Sequence, residues 1–214
     1  MNHFRPNINR KKDMQLKYKI SRVETEVLGN ELAALLKESH DIKQFKPPFN
    51  IALKASRFIY SVIIGYNKDG IPELKVTSQQ NCQEMAFKSK SQAMRSIEKF
   101  LKYTFGIADH EYVESTLKKY FIILGKEEYL KKINQFYSMY SYPKRNFYLK
   151  LEGRKNNEDC FIIVKENQLD EMIFYSEDSS HRFKLIENRD HRLILLGYLF
   201  KYKLKPLTGY PFLD

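Results

Sequence analysis

The sequence predicts an α+β fold, and three observations predict it. Apolar residues make up 43% and charged residues 29% of the 214-residue chain, a balance that builds a core rather than a disordered segment. Apolar spacing switches along the chain between the alternation of strands and the three-to-four-residue repeat of helices. Glycine, proline and asparagine fall where those patterns end. The order that results is β-α-β-β-α-α-β-β-β-α, in two parts with a boundary around residues 141–145.

Taken in order, residues 1–15 form a polar lead-in. Lys19 to Leu28 reads as a strand because Ile20, Val23, Thr25 and Val27 are β-branched. Gly29 ends it. Asn30 is a good N-cap, and Glu31 sets a negative charge in the first helical turn, where the backbone dipole favours it. Leu32, Leu35, Leu36, Ser39 and Ile42 recur at helical spacing to about Gln44, and Pro47-Pro48 forbid continuation. Phe58 to Tyr66 and Glu73 to Thr77 flank Asn67-Lys68-Asp69-Gly70 and predict a hairpin. Ser91 to Tyr103 is an amphipathic helix with Met94, Ile97, Phe100 and Leu101 on one side. Residues 111–140 are helical with an interruption near Gly125. Asn146 to Leu151, Asp159 to Val164 and Glu171 to Tyr175 are three short strands, and Arg189 to Lys203 closes the chain as a helix carrying Leu193, Leu196 and Phe200. Tyr129, Phe136, Tyr137, Tyr140 and Tyr142 stand at helical spacing, which suits a core better than a base-stacking surface.

Composition narrows the function classes. The apolar runs Phe121 to Leu124 and Leu193 to Leu196 are far too short to span a bilayer, so no membrane partner is expected. The opening Met-Asn-His-Phe-Arg-Pro lacks the apolar core of a secretory signal. Cys82 and Cys160 are too few for a disulfide framework, which favours a reducing, cytoplasmic setting. A net charge of +11 makes a field that attracts polyanions, and nucleic acid is the commonest of these. Richness in Lys, Asn, Ile, Phe and Tyr would also follow from a low-GC genome. The charge is nevertheless concentrated: Arg5, Arg10, Lys11, Lys12, Lys17, Lys19 and Arg22 are relieved only by Asp13.

The most specific segment is Gly29 to Asn50, GNELAALLKESHDIKQFKPPFN. Glu38 is expected on the flank of the Leu32/Leu36 stripe, where a carboxylate can face a cleft and hold a hard divalent cation. Successive helical residues diverge, so Glu38, His40 and Asp41 are not expected to share a metal. Asp109-His110-Glu111 reads as a solvated helix cap.

This segment resembles the end of the GIY-YIG domain of UvrC-type excision-repair nucleases, and of the related Cho and polymerase-III-epsilon-linked nucleases. The likeness rests on Asn30-Glu31-Leu32, Ala34-Leu35-Leu36, Glu38-Ser39, Ile42-Lys43, Lys46-Pro47 and Phe49-Asn50, in matching order and spacing. It extends into Ala55-Ser56-Arg57-Phe58-Ile59-Tyr60. Looser echoes follow at Phe87-Lys88-Ser89-Lys90 and at Gly153-Arg154 with Glu158.

The resemblance implies an incomplete GIY-YIG α/β unit over residues 1–56. A hairpin and helical middle region over 57–145 and a strand-rich unit ending in a helix over 146–214 would follow. It implies phosphodiester hydrolysis with one Mg or Mn ion, Glu38 matching the metal ligand and Asn50 the supporting asparagine near the active site. Arg5, Arg10, Lys11, Lys12, Lys43, Lys46 and Arg57 are the candidates for contacts to the DNA backbone. The GIY and YIG strands and the arginine helix would lie before residue 1, His3-Phe4 resembling the point just after that helix; Arg5 and Arg10 are poor substitutes. The family's cysteine cluster is not reproduced by Cys82 and Cys160, so no zinc is expected. One carboxylate without a phosphate clamp or general base does not carry the hydrolysis. The expectation is therefore a truncated nuclease relative that binds DNA non-specifically without cutting it alone. The alternatives are a piece of a longer active nuclease, with a larger polypeptide or partner supplying the missing strands, and a non-enzymatic structural or interaction protein.

Overall fold

The computed structural model describes residues 18–48, 58–78, 85–107 and 113–209. Helix α1 spans Glu31–Phe45, and both its ends are set locally. Asn30 is extended, and its Oδ1 accepts from Ala33 N at 2.9 Å, satisfying a donor the helix leaves open. Lys46 takes the left-handed cap ahead of Pro47.

Strands β1 (Tyr60–Tyr66) and β2 (Pro72–Thr77) form the expected hairpin. The Asn67 side chain fixes its turn by accepting from Asp69 N and Ile71 N. A short β3 (Ala86–Phe87) pairs on the other edge of β1, giving the order β2-β1-β3. Helix α2 (Lys90–Phe105) starts at the Ser89 cap and stops at Gly106. Helix α3 (Val113–Ser138) is broken at Gly125, whose φ of 73° and ψ of 164° suit glycine alone. These elements bury Val62, Phe87, Ile97, Phe100, Phe105, Tyr129, Ile133 and Phe136 together.

A second core forms on an antiparallel meander of β4 (Phe147–Glu152), β5 (Asp159–Lys165), β6 (Gln168–Ser176) and β7 (Ser179–Lys184). Glu166 and Asn167 both have positive φ, so a two-residue turn with the twist of the strands joins β5 to β6. Helix α4 (Arg189–Tyr202) and α1 cover one face of this sheet. There Leu32, Leu36, Leu195 and Leu199 meet Leu149, Cys160, Ile162, Val164, Met172 and Phe174. The mixture of helices and antiparallel sheets is α+β, as the sequence predicts.

Three local expectations are corrected. Lys19 to Leu28 is no strand: Tyr18 and Lys19 are helical and the following residues irregular. Val23 and Val27 are 59% and 68% exposed, and β-branched side chains favour strands only where a neighbouring strand half-buries them. The third C-terminal strand is followed by a fourth, β7, whose Ser-Ser-His-Arg-Phe-Lys has the polar, charged character of a sheet edge and no apolar signal. On α4 the buried residues are Leu195 and Leu199, whereas Phe200 is 89% exposed. The continuous run Leu193-Ile194-Leu195-Leu196 offers several apolar faces, and contact with α1 selects one. Tyr129, Phe136 and Tyr142 are buried core residues.

Candidate nucleic-acid interface

The helix carrying the nuclease-like segment is held by backbone approach at its N-terminus. A Cβ on Gly29, which has φ +74°, would overlap the Gly153 carbonyl, and one on Gly153 would overlap the Glu158 carbonyl. Asn30 Nδ2 donates to Glu152 O at 2.7 Å beside them. Arg154 and Glu158 lock the same loop: Arg154 N donates to Glu158 Oε2 at 2.6 Å, and its guanidinium reaches both carboxylate oxygens. Those hydrogen bonds hold the Glu158 carboxyl below the usual range despite its burial. Two sequence echoes 124 positions apart, Gly29 and Gly153, thus meet in space and serve docking.

Along α1 the candidate residues separate. The buried stripe is Leu32, Ala33, Leu36, Ser39 and Ile42. Glu38 lies about 130° around the helix from its centre, on the solvent side rather than the expected flank. Asp41 is taken by Lys37, at 2.6 Å. His40 bonds Gln44 Oε1 at 3.1 Å and lies edge-on to Phe183 at 5.1 Å. Lys43 bonds Ser39 Oγ at 3.1 Å and pairs with buried Asp190 at 2.8 Å, so its charge is held inward. Lys46 is exposed. Arg5, Arg10, Lys11, Lys12, Asn50 and Arg57 lie outside the described residues, as do Cys82 and Asp109-His110-Glu111.

A hard divalent ion such as Mg²⁺ takes about six oxygen ligands. Glu38 brings one carboxylate, and among the described residues no group of three or more His, Cys, Asp or Glu stands together to hold a metal. The described residues do not complete a metal centre, and no hydrolytic step is derived through one.

The densest electrostatics lie instead at the start of α4, where Arg189, Asp190, His191 and Arg192 are all buried. Asp190 accepts Lys43 from α1 and Lys88, at 3.4 Å, from the β3–α2 connection. Arg189 Nε donates to Ala86 O at 3.0 Å. Arg192 reaches Glu187 at 3.1 Å and Asn167 O at 2.7 Å, over the Tyr142 ring. His191 Nδ1 is 2.9 Å from the Ile186 carbonyl, which only accepts and so assigns that nitrogen the proton. Burial drives this imidazole down to about 4, with Lys43 and His40 adding repulsion. This cluster ties the two cores together. Its one sequence signal is four consecutive polar residues opening an otherwise apolar helix, which helical periodicity does not single out.

No protein-family profile matches the chain, and no solved structure matches it. Over 52 residues, 24% of its length, the chain is 42% identical to UvrABC system protein C of Actinobacillus succinogenes, and that stretch covers 9% of the relative. The chain carries a segment similar to UvrC.

Proposed function

We propose that this chain is a relative of UvrC-type, GIY-YIG excision-repair nucleases that binds DNA through backbone phosphates and does not cleave it alone. The single observation carrying this reading is the UvrC-like stretch, 42% identical over 52 residues. The net charge of +11 supports the choice of partner. Absence of cleavage follows from the exposed, solitary Glu38, which among the described residues has no phosphate clamp or metal-ligand group beside it. The test is anisotropy titration of labelled duplex and branched DNA at rising salt. With four phosphates contacted, affinity falls roughly a hundredfold between about 50 and 200 mM salt. Affinity indifferent to salt overturns the proposal.

A second reading, a structural or interaction protein that retains the nuclease helix as packing, is favoured by Lys43, whose charge is held by Asp190, and by the Gly29–Gly153 approach. Under it, Glu38→Gln leaves the melting temperature unchanged with or without magnesium. Magnesium raising the melting temperature of the parent but not of the variant decides against it.

A further inference from the structure

A cavity of about 360 Å³ opens where the two cores meet, away from Glu38 and lined by Ala86, Phe87, Gln92, Arg95, Ser96, Lys99, Tyr140, Arg189 and Leu193. Gln92, Arg95, Ser96 and Lys99 are spaced i, i+3, i+4 and i+7, so one face of α2 supplies them. The opposite face of that helix buries Ala93, Ile97 and Phe100. Arg189 enters from α4, its guanidinium 5.1 Å from the Tyr140 ring centre and bonded through Nε to Ala86 O. Ser96 Oγ and the Tyr140 hydroxyl are hydrogen-bonded to each other in the wall. Phe87, Tyr140 and Leu193 make the remainder apolar.

Three cations and no carboxylate line this space. Among the described residues, neither Arg95 nor Lys99 has an ion-pair partner. Three positive charges converging without compensation repel one another, and an anion of two charges relieves that repulsion. A phosphate monoester carries about that charge, with three acceptor oxygens that suit an arginine fork and a lysine. The volume exceeds what a bare phosphate fills and falls in the range of pockets for small organic ligands, roughly 300 to 1,000 Å³. The apolar wall suits a ring-bearing body.

We propose that this cavity binds a nucleoside monophosphate, free or as the phosphorylated end of a strand, with the phosphate on Arg95, Lys99 and Arg189. The inference stands on the cavity and not on the UvrC-like segment. It is tested on the full chain by calorimetry with deoxyadenosine monophosphate against deoxyadenosine, and by anisotropy with single strands bearing a 5′-phosphate against a 5′-hydroxyl. The phosphorylated form of at least one pair is expected to bind about tenfold tighter or more. Arg95→Gln with Lys99→Gln is expected to abolish that preference, whereas Lys126→Gln, equal in charge change and exposed on α3, is expected to keep it. Arg95 and Lys99 are exposed, so an unchanged melting temperature shows that the double variant is folded. Preference in the first pair identifies a free nucleotide, and preference in the second alone identifies a strand end. Equal binding of both forms in both pairs, or a preference surviving the double variant, overturns the proposal. Loss of duplex binding with phosphate preference intact sinks the nuclease reading and leaves this one standing.

Discussion

At the scale of single residues, two side chains carry sharp consequences. His191 titrates at about 4 in the folded protein, against an ordinary value of 6.5. On acidification the unfolded chain therefore takes up the proton first, and stability falls as pH drops from 6.5 towards 4. Urea unfolding at pH 7 and pH 5 is expected to show about 2 kcal/mol lost through this group, and His191→Gln should remove that part of the slope. An identical slope in the variant would assign the effect elsewhere. Gly29 has a second kind of constraint, being both left-handed and pressed against the Gly153 carbonyl. Gly29→Ala is expected to lose about 3 kcal/mol by thermal or urea unfolding, since strain and overlap add.

At the scale of elements, α1 is positioned by its cap as much as by its apolar stripe. Asn30 closes the helix through Oδ1 and joins it to Glu152 through Nδ2. Asn30→Ala removes both bonds, and the expected loss is about 2 kcal/mol, above the roughly 1 kcal/mol of an ordinary cap. Asn30→Asp keeps the cap acceptor and loses only the donor to Glu152, so it should fall between the two. A variant series in which Asp and Ala behave alike would mean the cap contributes nothing. The same logic explains α2, whose polar face is idle for packing and therefore open to serve the cavity.

At the scale of the molecule, the two cores meet through charge rather than through apolar contact. Asp190, 5% exposed, accepts lysines from α1 and from the β3–α2 connection. Asp190→Ala leaves Lys43 facing His191 and His40 without its carboxylate, and a loss of about 3 kcal/mol is expected. Hydrogen exchange should report the change as separation: amides of β5 and of α2 open at distinct free energies in the variant. Uniform weakening of both would show that the cores are coupled by some other contact.

Much of the fold was legible because its signals are local. The Asn30 cap, the Pro47-Pro48 stop, the Asn67-to-Gly70 turn and the Gly125 break each act through the φ, ψ or hydrogen bonds of a few neighbouring residues, so the sequence by itself determined α1, the hairpin and the interrupted helix. The α+β class followed from their order. The UvrC-like segment was legible for the same reason, being short and contiguous. Tertiary structure alone decided where charges and apolar faces point. It left Val23 and Val27 without a partner strand, paired polar β7 at an edge, chose Leu195 and Leu199 over Phe200, and turned Lys43 inward to Asp190. It also brought Arg95 and Lys99 beside Arg189, some ninety positions away. Local pattern fixes backbone conformation, whereas burial and electrostatic field depend on which distant surfaces meet, and that meeting is what no window of sequence contains.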